Sequence, residues 1–235
     1  MIGPFALVRF DMAGTTVRDD GAVETAFEAA LASVGVEPGG GAFARAQEVV
    51  RTTMGWSKAD VFARLLDPES AGRATEAFAA AYEAFVAAGQ VAEIPGAGAV
   101  IRGLRAQGVL VCLTTGFAPS TRDALIGALG WSAEIDLALS PADVGRGRPA
   151  PDMVLGAMAR LGVPDPAGVA VVGDTVSDLE AGTAAGAAAV IGVLSGAHDA
   201  VTLAAAPHTA LVADVTAVPG VLERGGRGSA RVDTK

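Results

Sequence analysis

Asp11, Asp174 and Asp178 are the carboxylates of this 235-residue chain whose surroundings could support chemistry. Asp11 closes the short, largely apolar run Phe5–Phe10 and opens FDMAGTTVRDD, where Gly14 permits a tight turn and Thr15 and Thr16 add hydroxyls. Asp174 and Asp178 stand in VVGDTVSDLEAG, again after an apolar run. Together they offer hard oxygen ligands of the kind a magnesium ion takes. Thr115 in LTTGF and Arg148 in GRGRPAPDM add a hydroxyl and a guanidinium, which with loop amides can hold a phosphoryl group. A carboxylate beside such a metal can attack phosphorus and form an aspartyl-phosphate. Each fragment also has a plainer explanation. Asp11 can open an Asx turn, and GDTVSD can be a turn that caps a helix. The chemical reading depends on the fragments meeting at one place.

The elements between them supply that place. Apolar residues recur at helical spacing over 22–34, and further helices are expected over 42–53, 57–66 and 68–88. Nothing between Ala22 and Ala88 reads as a strand, so a helical block interrupts the chain after its first strand. Its crossings are expected near Thr16–Gly21 and Val91–Gly98. From Ile94 the pattern alternates. Helices are expected over 97–107, 120–129, 150–161, 177–185 and 200–206, and strands over 109–113, 135–139, 168–172, 188–193 and 210–213. Such alternation predicts an α/β fold, a parallel Rossmann-like sheet covered on both faces. The carboxyl ends of its strands share one edge, where ligands bind. The expected division is a catalytic core over 1–16 and 95–222 and a helical domain over 17–94. A tail over 223–235, rich in Gly and Arg, is expected to be disordered. No internal repeat is present.

Composition narrows the function. The chain is 51% hydrophobic and 18% charged, which suits an aliphatic globular core. A net charge of -9 argues against non-specific nucleic-acid binding, which needs basic patches. A single cysteine, Cys112, rules out an intrachain disulfide and a thiolate metal cluster, and its apolar strand suggests an inert thiol. The N-terminus lacks the features of a signal peptide, and no tract is long and apolar enough for a membrane span. A soluble, cytoplasmic protein is expected.

The four fragments FDMAGTTV, LTTGF, GRGRPAPDM and VVGDTVSDLEAG, in this order, resemble the haloacid dehalogenase superfamily, and within it the phosphonatase-like branch. The resemblance covers nearly the whole chain. It implies Asp11 as nucleophile, and Asp11, Asp174 and the Ala13 carbonyl as magnesium ligands, with Asp178 supporting the metal shell. It implies Thr115, Gly116 and Arg148 as the holders of the transferring phosphoryl group. The inserted helices look like the family's mobile cap. The family also admits a homodimer through cap helices.

Position 13 separates two chemistries. Related phosphatases carry an Asp there as general acid and base, whereas Ala13 transfers no proton. The branch with Ala at that place, the phosphonoacetaldehyde hydrolases, uses a cap lysine as a Schiff base, and Met54–Lys58 (MGWSK) resembles its motif. Lys58 is therefore the candidate imine-forming residue, and the alternative is an ordinary solvated lysine. Two positions depart from the branch: Val61 stands where its motif has His, and Phe117 where it has Tyr. The substrate is expected to be a small phosphonate, with a phosphate monoester as the second reading and a weakly active binding protein as a third. Trp56 is expected at the pocket wall, and Met12 at the helical-domain interface or the site. His198 is expected to be a loop residue bonded to backbone, His208 a surface residue, and Arg18, Asp19 and Asp20 a solvated hinge.

Overall fold

The computed structural model describes residues 3–18 and 20–227. Strand β1 (Leu7–Asp11) lies at the centre, and every residue in it is buried. Period-two alternation sends Val8 and Phe10 into the main apolar core on one face. Leu7 joins a second cluster on the other face, the face that Arg9 and Asp11 share. The strands β2 (Leu110–Thr114), β3 (Leu137–Leu139), β4 (Val169–Gly173), β5 (Ala189–Val193) and β6 (Ala210–Val212) complete a sheet of order β3-β2-β1-β4-β5-β6. All pairs are parallel, with Asp11 opposite Thr114 of β2 and Phe10 opposite Val172 of β4. The order reverses at β1, so its carboxyl end opens onto the crevice where such sheets bind ligands.

Between β1 and the next core helix lie α1 (Ala22–Ala32), α2 (Gly41–Thr52), α3 (Lys58–Leu65) and α4 (Pro68–Ala87). Local chemistry starts the last two. Ser57 Oγ accepts the amide of Asp60, and the Asp67 carboxylate accepts those of Glu69 and Ser70 ahead of Pro68. The buried stripe Ala71, Ala74, Phe78, Tyr82 and Val86 turns one face of α4 inward. There Phe27 and Phe62 stack at 4.7 Å, and Phe78 meets both edge-on at 6.4 Å. The two chain crossings are tied together, because Arg18 N–H donates to Ala92 O and Ile94 N–H to Thr16 O, each at 2.9 Å. Arg18 and Asp20 are exposed and pair with each other at 2.7 Å, as a solvated hinge would; Asp19 lies outside the described residues.

The core helices are α5 (Ala97–Ala106), α6 (Pro119–Ala128), α7 (Asp152–Leu161), α8 (Val176–Ala184), α9 (Ala200–Ala204) and α10 (Val218–Arg227). Most boundaries match the sequence expectation within one or two residues. Edge strand β3 is shorter than expected, since it pairs only with β2. The expected disorder from Glu223 is corrected as far as Arg227, which ends α10; residues 228–235 lie outside the described residues. Val218 and Leu222 anchor that helix in the main core. Among the described residues no helix is long and apolar enough to cross a membrane.

Candidate active site

Four strand ends converge on one cavity of about 900 Å³. Asp11, Ala13, Thr115, Gly116, Arg148 and Asp174 all line it from the sheet side. Lys58 and Trp56 line it from the inserted helices.

The turn after β1 is built on a single acceptor, since Met12 O receives the amides of Thr15, Thr16 and Val17 at 2.8–3.2 Å. Gly14 sits in this turn at φ 82° against Asp174, where a Cβ would stand 2.4 Å from Asp174 Oδ2. The Met12 side chain points into the main core instead of lining the cavity.

Asp174 follows β4 and is held at both oxygens. Thr15 Oγ1 donates to Oδ1 at 2.9 Å, and Ala197 N–H donates to Oδ2 at 2.7 Å. Asp178 lies one turn on, in a capping box in which Thr175 Oγ1 donates to its Oδ2 at 2.6 Å. Its Oδ1 accepts two guanidiniums, Arg9 Nη1 at 2.7 Å and Arg148 Nη1. The same Arg148 nitrogen reaches Asp11 Oδ1 at 2.5 Å. Asp178 and Asp174 are thus both held at two oxygens by protein donors, and it is Asp11 and Asp174 that line the cavity, with Asp178 behind them.

Burial dominates the electrostatics. It raises Asp11 from an ordinary 3.8 to about 6, against the opposing pull of Arg148. It raises Asp174 to about 7, aided by the neighbouring charges of Asp11 and Asp178. Burial also works against the Asp178 carboxylate, but Arg148 and Arg9 outweigh it and hold that group below its usual range. Arg148 is held further up than normal despite burial, by Asp11 and Asp178.

One oxygen from each of Asp11, Asp174 and Asp178 lies within 4.8 Å of the others, all three buried. Like charges so crowded, in a set with only oxygen donors, fit a hard divalent cation such as magnesium.

Lys58 donates its backbone N–H to Gly116 O at 3.1 Å, which ties the start of α3 to the loop after β2. Its Nζ stands over the rings of Phe78 (5.6 Å) and Phe117 (5.7 Å). Val61 is buried in the core, and Phe117 packs against Tyr82 at 4.5 Å, so both departures are hydrocarbon-packed positions. His198 accepts the amide of Val176 at Nδ1 (3.0 Å), the backbone tie expected of it. Burial lowers its pKa below the ordinary imidazole value. His208 is exposed. Cys112 is fully buried, and burial pushes its thiol up to about 12, as an inert residue requires.

Sequence reading missed the partners that orient the carboxylates: Arg9, Thr175 and the Ala197 amide. Arg9 left a signal as a charge two residues before Asp11 on the same face of an otherwise apolar strand, and Thr175 as the first residue of a T-x-x-D capping pattern; the Ala197 amide left none.

Residues 5–186 match the family model described as haloacid dehalogenase-like hydrolase. The chain is 31% identical over 219 residues to "Probable phosphatase IndB" of Dickeya dadantii, covering 91% of this chain and 92% of that protein. It is 35% identical over 107 residues to phosphonoacetaldehyde hydrolase of Bacteroides fragilis, covering 45% of this chain and 40% of that protein. Among solved structures, a phosphonoacetaldehyde hydrolase-like protein from Oleispira antarctica aligns with TM-score 0.83 and 26% identity over 100% of this chain and 97% of that one. A hydrolase from Pseudomonas syringae aligns with TM-score 0.81 over 93% and 98%, and at 24% identity this likeness concerns the fold.

Proposed function

We propose that this chain, which belongs to the haloacid dehalogenase-like hydrolase family and is phosphonatase-like within it, cleaves phosphorus from a small phosphonate with Asp11 as nucleophile and Lys58 as imine-forming residue. The observation that carries this reading is that Lys58 lines the same cavity as Asp11, Arg148 and Asp174.

Asp11 attacks phosphorus through a carboxylate oxygen, and the bond from phosphorus to the leaving group breaks as the new P–O bond forms. Arg148, the Thr115 hydroxyl and the Gly116 amide bind the phosphoryl oxygens and hold phosphorus in line. Asp11, Asp174 and the Ala13 carbonyl, with Asp178 behind them, would hold a magnesium ion, which when bound would supply positive charge against the phosphoryl oxygens. Water then attacks the aspartyl-phosphate, releasing phosphate and restoring the Asp11 carboxylate. Residues 17–94 serve as a cap that excludes other water from the site.

Ala13 provides no proton for a leaving oxygen, and cleavage of a C–P bond leaves its electron pair on carbon, so the departing carbon needs an electron sink. The Lys58 amine condenses with a substrate aldehyde, losing water, to a protonated imine. As phosphorus passes to Asp11, the C–P electron pair enters the imine and leaves an enamine. Protonation at carbon and hydrolysis then free the aldehyde product and the lysine.

A phosphate monoester is the second reading. It is favoured by the hydrocarbon packing at Val61 and Phe117, which leaves no proton-handling side chain at those two positions, and by the near-full-length likeness to a protein named as a phosphatase.

Magnesium-dependent phosphate release from phosphonoacetaldehyde, set beside an aryl phosphate, separates the readings. Asp11→Asn is expected to lose at least about 10⁴-fold in kcat on whichever substrate is turned over, with its circular dichroism unchanged. Lys58→Ala is expected to abolish release from the phosphonate. Retained turnover in the Asp11 variant would remove Asp11 as nucleophile. Release from the ester alone, indifferent to Lys58, would make the protein a phosphatase.

A further inference from the structure

Arg9 occupies a position that packing alone would give to an aliphatic residue. Its partners across the sheet are Cys112 and Val171, its neighbour on the same face is Leu7, and all three belong to one apolar cluster. The side chain is wholly buried, and its Nε and Nη2 find no hydrogen-bond partner among the described residues. A guanidinium kept there with two unpartnered nitrogens is costly, and a hydrocarbon of similar volume would remove the cost. Its one bond goes to Asp178 Oδ1, the same oxygen that Arg148 uses.

The charges explain what that bond does. Three buried carboxylates, Asp11, Asp174 and Asp178, face two buried guanidiniums, Arg148 and Arg9. With all three carboxylates ionised, removing Arg9 would double the surplus of negative charge from one to two. Such a site would attract a cation more strongly and a phosphoryl anion more weakly. Asp178 would also be left with Arg148 as its only cationic partner, and would draw that guanidinium away from Asp11 and the phosphoryl oxygens.

We propose that Arg9 is a positioning residue that acts through Asp178: its charge leaves Arg148 available to the phosphoryl group and shifts the site's preference from cation toward anion. The inference rests on the phosphoryl-transfer reading above. It predicts opposite changes for two ligands, which a loss of folding could not produce.

The test is calorimetric titration of the full chain with Mg²⁺ alone, and then with inorganic phosphate at saturating Mg²⁺, in wild type, Arg9→Met, Arg9→Gln and Arg9→Lys. The neutral variants are expected to bind Mg²⁺ about tenfold tighter and phosphate about tenfold weaker. Arg9→Lys, which keeps the charge, is expected to hold both affinities within about threefold of wild type. Changes in the same direction, or none, in the neutral variants would overturn the proposal. If neither neutral variant folds, Arg9→Lys decides: weakened binding of both ligands would show that guanidinium shape matters instead of charge, and retained binding supports the proposal. A wild type that binds neither ligand would overturn the phosphoryl-transfer reading itself, whereas normal wild-type binding with unresponsive neutral variants would overturn only the role of Arg9.

Discussion

Asp11 and Asp174 carry their charge where burial disfavours it, and this links proton and metal at the level of single residues. Their folded values of about 6 and about 7 lie above the ordinary 3.8. The folded, metal-free chain therefore holds protons that the unfolded chain releases. The stability this contributes is complete below about pH 4 and is lost as pH rises through about 6 and 7. Metal-free protein is expected to melt at a lower temperature at about pH 7.5 than at about pH 5.5. Mg²⁺ is expected to raise the melting temperature strongly at the higher pH and weakly at the lower, since a cation held by Asp11 and Asp174 would compete with protons for the same oxygens. Thermal melts with chelator and with Mg²⁺ at both pH values check this. Equal stabilisation at the two would show that Asp11 and Asp174 do not hold the ion.

The decisive element is the segment joining α2 to α3. It rests directly on the sheet edge: Lys58 N–H bonds to Gly116 O, and Ser177 Oγ donates to Met54 O at 3.0 Å. Gly116 makes the approach feasible, because a Cβ there would stand 2.4 Å from Trp56 O, a backbone atom that cannot swing aside. Gly116→Ala is expected to push this segment outward and displace Lys58 from Asp11. Turnover should fall about 10- to 100-fold, since small misplacements of reacting groups carry such costs. The melting temperature should change little, because the core strands are untouched. Steady-state kinetics beside a thermal melt tests this, and unchanged kcat/KM would show that the docked segment plays no part in turnover.

At the scale of the whole molecule, the inserted helices and the sheet share a continuous apolar core. Phe27, Phe62 and Phe78 of the insertion belong to the same cluster as Phe10, Leu113 and Ile101. Tyr82 and Phe117 join the two sides at 4.5 Å, and Thr121 of α6 donates to Glu83 of α4 at 2.9 Å. One cooperative unfolding transition is therefore expected. Phe62→Ala should lower the stability of the entire chain by about 3–5 kcal/mol. Calorimetry that resolved a separate early transition in this variant would show that the insertion melts by itself.

Much of this architecture is legible in the sequence because its signals are local. Periodicity marks α4, Ser57 and Asp67 mark helix starts, and the run before Asp11 marks β1; each depends on residues a few positions apart. The carboxylates and Arg148 are likewise recognisable from their short motifs. Helix α10 was missed because Gly220 and Gly225 disfavour a helix locally, and burial of Val218 and Leu222 overrides them. The bond from Arg9 to Asp178 spans 169 positions, and no local rule reports a contact of that range. Sequence by itself determined which residues could do chemistry and which elements carry them, since propensity and capping act over single turns. Tertiary structure decided that Lys58 shares a cavity with Asp11, and that a second arginine stands behind Asp178. Both depend on how strands β1 and β4 and the α2–α3 segment pack together, a choice made by the burial of surfaces far apart in the chain.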